Sequence, residues 1–173
     1  MDAFDVLYRA FYPILVVTQT IPTVAIAPLL VLWFGYEMTP KVILIILVTF
    51  FPVTVGLLDG FRAVDPDAVG LLRSMGAGRW QIFRYLKCPS ALPHFFSGLR
   101  IAAAYSVVGA VISEWLGGFG GLGVYMTRVK KAYAFDKMFA VIILISIISL
   151  ALMALVELAE RRCMPYRHLR EKS

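Results

Sequence analysis

The 173 residues are 60% hydrophobic and only 16% charged, whereas soluble domains usually carry about a quarter charged residues. This composition excludes an ordinary soluble globular domain and favours an integral membrane protein. The net charge of +6 could suggest nucleic-acid binding, but the basic residues lie in polar segments between apolar runs, where anionic lipid headgroups are the better match. We therefore predict no nucleic-acid partner.

The first apolar stretch, residues 13 to 34, is interrupted by prolines and contains Gln19. Broken helices at membrane depth are tolerated only against protein or a water-filled cavity, so this stretch is predicted to face the interior of a helical bundle. Gln19 and Pro22 are candidates for lining a translocation pathway. The alternative is a proline-kinked packing helix in which a neighbouring side chain satisfies Gln19.

Three further apolar stretches are predicted to cross the bilayer, with their flanks supplying the required length of about 17–25 residues. They cover residues 42 to 58, 93 to 116 and 138 to 156. The second of these is rich in small residues, which lets helices approach closely in lipid. It contains Arg100, which is predicted to snorkel toward the headgroups, and Glu114, which could line the pathway or pair with a base of the following loop.

A glycine-rich run, GGFGGLG, follows this span and precedes a short basic stretch. It lacks both the preceding soluble strand and the GK[ST] ending of a phosphate-binding loop, so nucleotide binding is not predicted. A flexible turn leading into a short surface helix is the better interpretation. The two cysteines, Cys88 and Cys163, form no CxxC pair and have no histidine nearby, so no metal site is predicted.

One long polar segment, residues 62 to 92, stands apart from the apolar runs. Asp65-Pro66 predicts a helix start, since aspartate accepts hydrogen bonds from free helix N–H groups and proline fits the first turn. Gly76 and Gly78 predict a break, because glycine permits backbone angles that other residues resist. A second helix is predicted over residues 79 to 87, ending before the next proline, with an aromatic edge on one side. Such an element is suited to docking a cytosolic partner.

This polar segment resembles the cytoplasmic coupling loop, or EAA loop, of permease subunits from bacterial ABC importers that receive their solute from a binding protein. That loop reads Glu-Ala-Ala, three residues, Gly, nine residues and Ile-x-Leu-Pro. Gly76 matches the glycine, and Leu86 and Pro89 match the ending. Gly70-Leu71-Leu72 stands in place of Glu-Ala-Ala, so the acidic residue is missing, although Asp67 lies three residues earlier.

The resemblance implies an all-α fold, a polytopic transmembrane helical bundle with a two-helix cytoplasmic coupling loop, in which residues 1 to 173 form one permease domain. It also implies a set of ATPase-coupling residues, all in the loop: Asp67, Gly70, Leu71, Leu72, Gly76, Arg79, Trp80, Leu86 and Pro89. The implied partners are an ABC ATPase subunit, a second permease subunit in a homodimer, an extracytoplasmic solute-binding protein and membrane lipid. ATP would bind to the ATPase, so this chain would be neither an enzyme nor a cofactor protein.

Three stretches resemble the nitrate, sulfonate and taurine branch of these permeases, which includes importers of thiamine pyrimidine precursors: residues 73 to 80, residues 104 to 109 and Glu114-Trp115. We expect a small organic or anionic solute and favour a thiamine pyrimidine precursor. Relatives generally carry further spans before the point where this chain begins. The sequence therefore looks N-terminally short, as a fragment, a mis-called start or a variant completed by another polypeptide.

The distribution of basic residues predicts the orientation. Four spans place both termini on the side of the coupling loop, which holds about eleven or twelve Lys and Arg residues against five on the other side. This bias predicts cytosolic termini in a bacterial plasma membrane. A membrane scaffold or an inactive permease remnant is the alternative. An embedded enzyme is disfavoured, because His94 and His168 are isolated and Glu114 is the only deep acid.

Overall fold

The computed structural model describes residues 12–13, 16–17 and 20–164, and the described residues form helices and turns without a strand. From residue 23 onward the elements are α1 (Thr23–Phe34), α2 (Met38–Arg62), α3 (Pro66–Ser74), α4 (Arg79–Ile82), a π turn (Phe83–Lys87), α5 (Cys88–Gly117), α6 (Leu122–Lys131) and α7 (Phe135–Cys163). The predicted all-α helical membrane bundle is thereby confirmed.

Within the described residues, three helices are long and apolar enough to cross a membrane. They are α2, α7 and the continuous helix Arg79–Leu116, which joins α4, the π turn and most of α5. This last helix has 38 residues and measures about 57 Å, far more than the hydrocarbon thickness of about 30 Å. Part of this helix must therefore extend beyond the hydrocarbon core. α1 has only 12 residues, and the predicted first span includes residues outside the described set.

Helix α2 packs along α5 through glycines on both sides. A Cβ atom on Gly98 would collide with the carbonyl oxygen of Pro52, and one on Gly56 would lie 2.7 Å from the carbonyl oxygen of His94. A Cβ on Gly60 would come within 2.8 Å of the Cα of Ala91. Only glycine therefore fits at these positions, and the backbones of the two helices approach closely, as the small residues of the predicted span indicated.

The bundle has two distinct ends. At one end lie α3 and α4, between the end of α2 and the start of α5. At the other end α1 packs on α2 and α5 through a buried cluster of Ala27, Leu30 and Leu44, with Ile112 and Leu116 against it. Helix α6 belongs to this second end, since it connects the end of α5 to the start of α7. We call these the α3–α4 end and the α6 end.

The second helix of the polar segment does not end before Pro89, contrary to the prediction. It passes through the π turn into α5, whose first turn contains Pro89. The Cys88 N–H donates to the carbonyl of Phe83, five residues earlier. Proline has no N–H to place in the ladder, and the local π adjustment accommodates its ring within a continuing helix.

Arg100 is engaged by another helix instead of snorkelling freely to the headgroups. Its Nη2 lies 2.7 Å from Oε2 of Glu160, near the end of α7. The Glu160 side chain is only 10% exposed, and that of Arg100 is 36% exposed. The pair therefore joins the early part of α5 to the late part of α7 on the side of the α3–α4 end.

Candidate functional site

Helix α3 begins as the sequence predicts. Oδ1 of Asp65 accepts a hydrogen bond of 2.9 Å from the N–H of Asp67, and Pro66 occupies the first turn. The cap satisfies one of the N–H groups that have no partner within the helix. None of the nine residues of α3 is buried, so the helix stands away from the bundle.

The end of α3 is set by Gly76. The N–H of Gly76 donates to the carbonyl of Arg73 and the N–H of Ala77 to that of Leu72, at 3.0 and 2.9 Å. This pair of bonds is a Schellman motif, which needs a left-handed residue at its centre, and Gly76 supplies it with φ of 83°. Gly78 differs from the prediction, because its φ of −71° is open to any residue. The sharp turn between the two helices thus depends on one glycine.

Helix α4 is attached to α2 by aromatic contacts. Its start is capped by Gln81, whose Oε1 accepts from the Gly78 N–H at 2.7 Å. The Trp80 and Phe83 rings stack with centroids 5.7 Å apart, and the Phe83 ring lies 5.8 Å from that of Phe61 in α2. Phe83 therefore connects the predicted aromatic edge of α4 to the end of a membrane-crossing helix.

The outward side of α3, α4 and the π turn carries large apolar side chains in solvent. Leu71, Met75, Trp80 and Tyr85 are 63%, 74%, 70% and 74% exposed. We call these four residues the coupling surface. Exposed apolar groups rimmed by polar residues mark interaction sites. The sequence interpretation missed Met75 and Tyr85, although the four-residue spacing of Leu71 and Met75 places them on one helix face.

The structure brings all nine predicted coupling residues to the α3–α4 end. Those that are exposed are Asp67, Gly70, Leu71, Gly76, Arg79, Trp80 and Pro89. Leu72 and Leu86 are half-buried. Their role in contacting an ATPase stays a prediction.

The predicted pathway residues do not form a group in the described part of the chain. Gln19 lies outside the described residues, and Pro22 is exposed immediately before α1. Glu114 lies at the α6 end, where its Oε2 accepts a 2.6 Å hydrogen bond from the backbone N–H of Gly123. Its partner is thus a backbone group rather than a base of the loop.

The glycine-rich run before α6 makes room for the Glu114 carboxylate. A Cβ atom on Gly121 would collide with the carboxylate, and one on Gly123 would lie 3.0 Å from Oε2. Gly121 also has φ of 128°, which other residues rarely adopt. A carboxylate at a helix start is stabilised by the free N–H groups and the helix dipole. Glu114 therefore caps α6 from a neighbouring helix, a role that the sequence interpretation did not assign to the glycines.

Comparison with known proteins agrees with this architecture. Residues 1–164 match the family of binding-protein-dependent transport system inner membrane components. The chain belongs to this family, and the three apolar helices place it in a membrane. The sequence-based identification of the permease family and its branch is confirmed.

Three relatives define the branch. The formylaminopyrimidine transport permease of Halalkalibacterium halodurans is 42% identical over 159 residues, which cover 92% of this chain and 64% of the relative. The riboflavin transport system permease of Chloroflexus aurantiacus is 36% identical over 90% of this chain and 58% of its own. The taurine transport system permease of Escherichia coli is 32% identical over 89% and 56%. The chain thus spans 56 to 64% of the length of these relatives.

Proposed function

We propose that this chain is a transmembrane permease subunit of an ATP-driven ABC importer for a small solute. The observation that carries the proposal is the coupling surface, four exposed apolar side chains, of which Trp80 and Tyr85 lie on a helix that continues into the membrane. A cytosolic ATPase groove would cover these side chains. Membership in the permease family supports the same function.

The continuity of the helix suggests how motion would be transmitted. Force applied to Trp80 would reach α5 through the unbroken helix and α2 through Phe83, whose ring stacks on Trp80 and contacts the ring of Phe61. These two helices pack closely against each other. Movement of the ATPases would thus tilt this pair and alternate access to the pathway. The chain itself breaks no bond in the solute, and ATP binds to the partner subunit.

The assembly would contain a second permease subunit, most simply another copy of this chain, two ATPases and an extracytoplasmic binding protein. The coupling surface and both termini would lie in the cytosol, in agreement with the excess of basic residues on that side. Asp67 would serve as the acidic contact in place of the missing glutamate. Asp67 is exposed and lies in the first turn of α3.

A thiamine pyrimidine precursor is the favoured solute. The relative that is 42% identical is named as a formylaminopyrimidine permease, and one at 36% is named for riboflavin, another nitrogen heterocycle. Sulfonates, taurine and nitrate are the alternatives, since a taurine permease is 32% identical.

The test is co-purification of an ABC ATPase with the tagged chain from mild detergent, identified by mass spectrometry. Wild type should retain the ATPase, and Trp80→Ala should lose most of it. Phe139→Ala is the matched control. Phe139 is a similarly exposed aromatic residue, at 65%, but it lies on the membrane-crossing helix α7. Failure of well-folded wild type to retain any ATPase would refute the proposal and favour a scaffold or remnant. Equal losses in the two variants would refute the role of the coupling surface.

A further inference from the structure

Helix α6 is held at the membrane boundary by its connections. It has 10 residues and joins α5 to α7, both of which belong to membrane-crossing helices. Only residues 118–121 and 132–134 connect it to them. Such short connections keep α6 next to the ends of the two spans, on the membrane face opposite to α3 and α4.

One side of α6 is fixed against the bundle. The carboxylate of Glu114 caps its start, Gly123 is buried, and the side chain of Val129 is only 6% exposed. With this side anchored, the residues on the opposite side of the helix face outward in a fixed arrangement.

The outward side of α6 is basic. Tyr125, Arg128 and Lys131 follow at three-residue intervals and are exposed, as is Lys130. Residues 115 to 137 contain four bases and a single acid, Asp136. In the part of the chain that the structure describes, none of the α6 bases forms an ion pair. A cluster of bases is uncommon on the side of the membrane opposite to the coupling loop, so it calls for an anionic partner.

An independent feature at the end of α6 points to the same surface. Tyr133 has φ of 56°, an unfavourable left-handed angle for a residue with a side chain. The N–H groups of Tyr133 and Ala134 donate to the carbonyls of Lys130 and Val129, which closes α6 in a Schellman motif. The Tyr133 ring is 79% exposed and meets the exposed Phe135 edge-on at 6.4 Å. The end of α6 therefore places two exposed aromatic rings next to its basic residues.

We propose that this α6 surface, comprising Tyr125, Arg128, Lys130, Lys131 and Tyr133, binds the phosphate groups of anionic phospholipid headgroups in the adjacent leaflet. The three bases supply the positive charge, and the two tyrosines place their polar hydroxyls at headgroup level. The assignment of this leaflet to the outer face, and with it the statement that bases are uncommon on this side, rests on the proposed function.

The aromatic surroundings favour lipid over a soluble partner. Exposed aromatic residues cluster around α6 at the ends of the spans: Trp115, Phe119, Tyr125, Tyr133 and Phe135. Aromatic residues with basic neighbours are typical of the interfacial belt of membrane proteins. An acidic surface of a solute-binding protein would need the bases, but it would not need this ring of aromatic groups at the membrane boundary.

The test uses the full chain in phosphatidylcholine nanodiscs into which phosphatidylglycerol is titrated, with bound lipid counted by native mass spectrometry. The variant Arg128→Gln/Lys130→Gln/Lys131→Gln removes the charge, and Arg128→Lys/Lys130→Arg/Lys131→Arg keeps it as the matched control. Each base near an anionic surface contributes about a fivefold factor, so the first variant should bind phosphatidylglycerol on the order of a hundredfold more weakly. The control should bind as wild type does.

Ionic strength provides a measurement that needs no variant. Binding of phosphatidylglycerol by wild type should weaken as salt rises, because exposed charges are screened. Salt-independent binding, or wild-type affinity in the glutamine variant, would overturn the proposal. So would a glutamine variant that keeps phosphatidylglycerol but loses a co-encoded solute-binding protein, since the occupant would then be a protein. The glutamine variant should still co-purify with the ATPase, so the outcome is separate from that for the coupling surface.

Discussion

The guanidinium of Arg100 in α5 and the carboxylate of Glu160 in α7 meet at 2.7 Å, although 60 positions of sequence separate them. Nε of Arg100 is buried and has no hydrogen-bond acceptor within the described part of the chain. The guanidinium therefore depends on Glu160 for compensation of its charge. This pair ties α7 to the continuous helix that carries Trp80 and Tyr85 of the coupling surface.

Removing one partner of this pair should destabilise the bundle. We expect Glu160→Gln to lower the free energy of unfolding by about 1–3 kcal/mol, less than for a fully buried pair because Arg100 is partly exposed. Thermal unfolding in detergent measures the loss. Arg161→Gln is the control, since Arg161 pairs with Glu157 one turn away with both side chains about half exposed, and should cost less than about 0.5 kcal/mol.

Reversal of the charges tests the pairing itself. Arg100→Glu/Glu160→Arg should recover part of the stability that either single reversal removes, because opposite charges again face each other. If the double variant is no more stable than the single ones, the contact contributes through packing rather than charge.

Substitution of the hinge glycine should act through the backbone. Gly76→Ala is expected to cost about 1–2 kcal/mol in the loop, because φ of 83° is unfavourable for alanine while no atom lies within 4 Å to clash. Hydrogen exchange of the Ala77 N–H, which closes the Schellman motif, should accelerate. Gly78→Ala is the control and should leave this exchange unchanged, since its φ of −71° suits alanine.

The glycine inside α3 should respond in the opposite direction. Gly70 is exposed in mid-helix, and an added Cβ would meet nothing within 4 Å. Gly70→Ala should therefore stabilise α3 by about 0.5–1 kcal/mol. Slower hydrogen exchange across α3 would show the effect, and faster exchange would contradict the local geometry.

The contact between α2 and α5 should tolerate no side chain. Gly98→Ala forces a methyl group into the carbonyl of Pro52, with an expected cost of about 1–3 kcal/mol or more. Gly120→Ala is the control, because a Cβ atom on Gly120 would meet no atom within 4 Å. Thermal unfolding of the two variants in the same detergent should differ by several degrees, and equal midpoints would contradict the close approach of the helices.

Loss of the carboxylate that caps α6 should open that helix. Glu114→Ala leaves the N–H of Gly123 without its acceptor, at a cost of about 1.5–3 kcal/mol for a charged hydrogen bond. Trypsin should then cleave faster after Arg128 in α6, whereas cleavage after Arg73 in α3 should not change. If trypsin cleaves after Arg128 equally slowly in wild type and in Glu114→Ala, Glu114 does not stabilise α6 as a cap.

The local elements of this protein are determined by its sequence. The membrane-crossing lengths of α2 and α7 follow from uncharged apolar runs, and that of α5 follows from an apolar run whose only charged residues are Arg100 and Glu114. Such runs have few alternatives to helix in lipid. The start of α3 at Asp65-Pro66 and its end at Gly76 follow from cap chemistry and from the angles open to glycine, which depend only on neighbouring residues.

Only the tertiary structure decides which groups meet across helices. Arg100 was predicted to reach the headgroups because its sequence neighbours cannot reveal Glu160, and Glu114 was left with two roles because its partner is the backbone of Gly123. Pro89 predicted a helix end, yet the π turn and packing against α2 carry the helix through it. The preference of a charged side chain for water and the tendency of proline to end a helix are local. A partner from a distant segment overrides the first, and a π turn overrides the second.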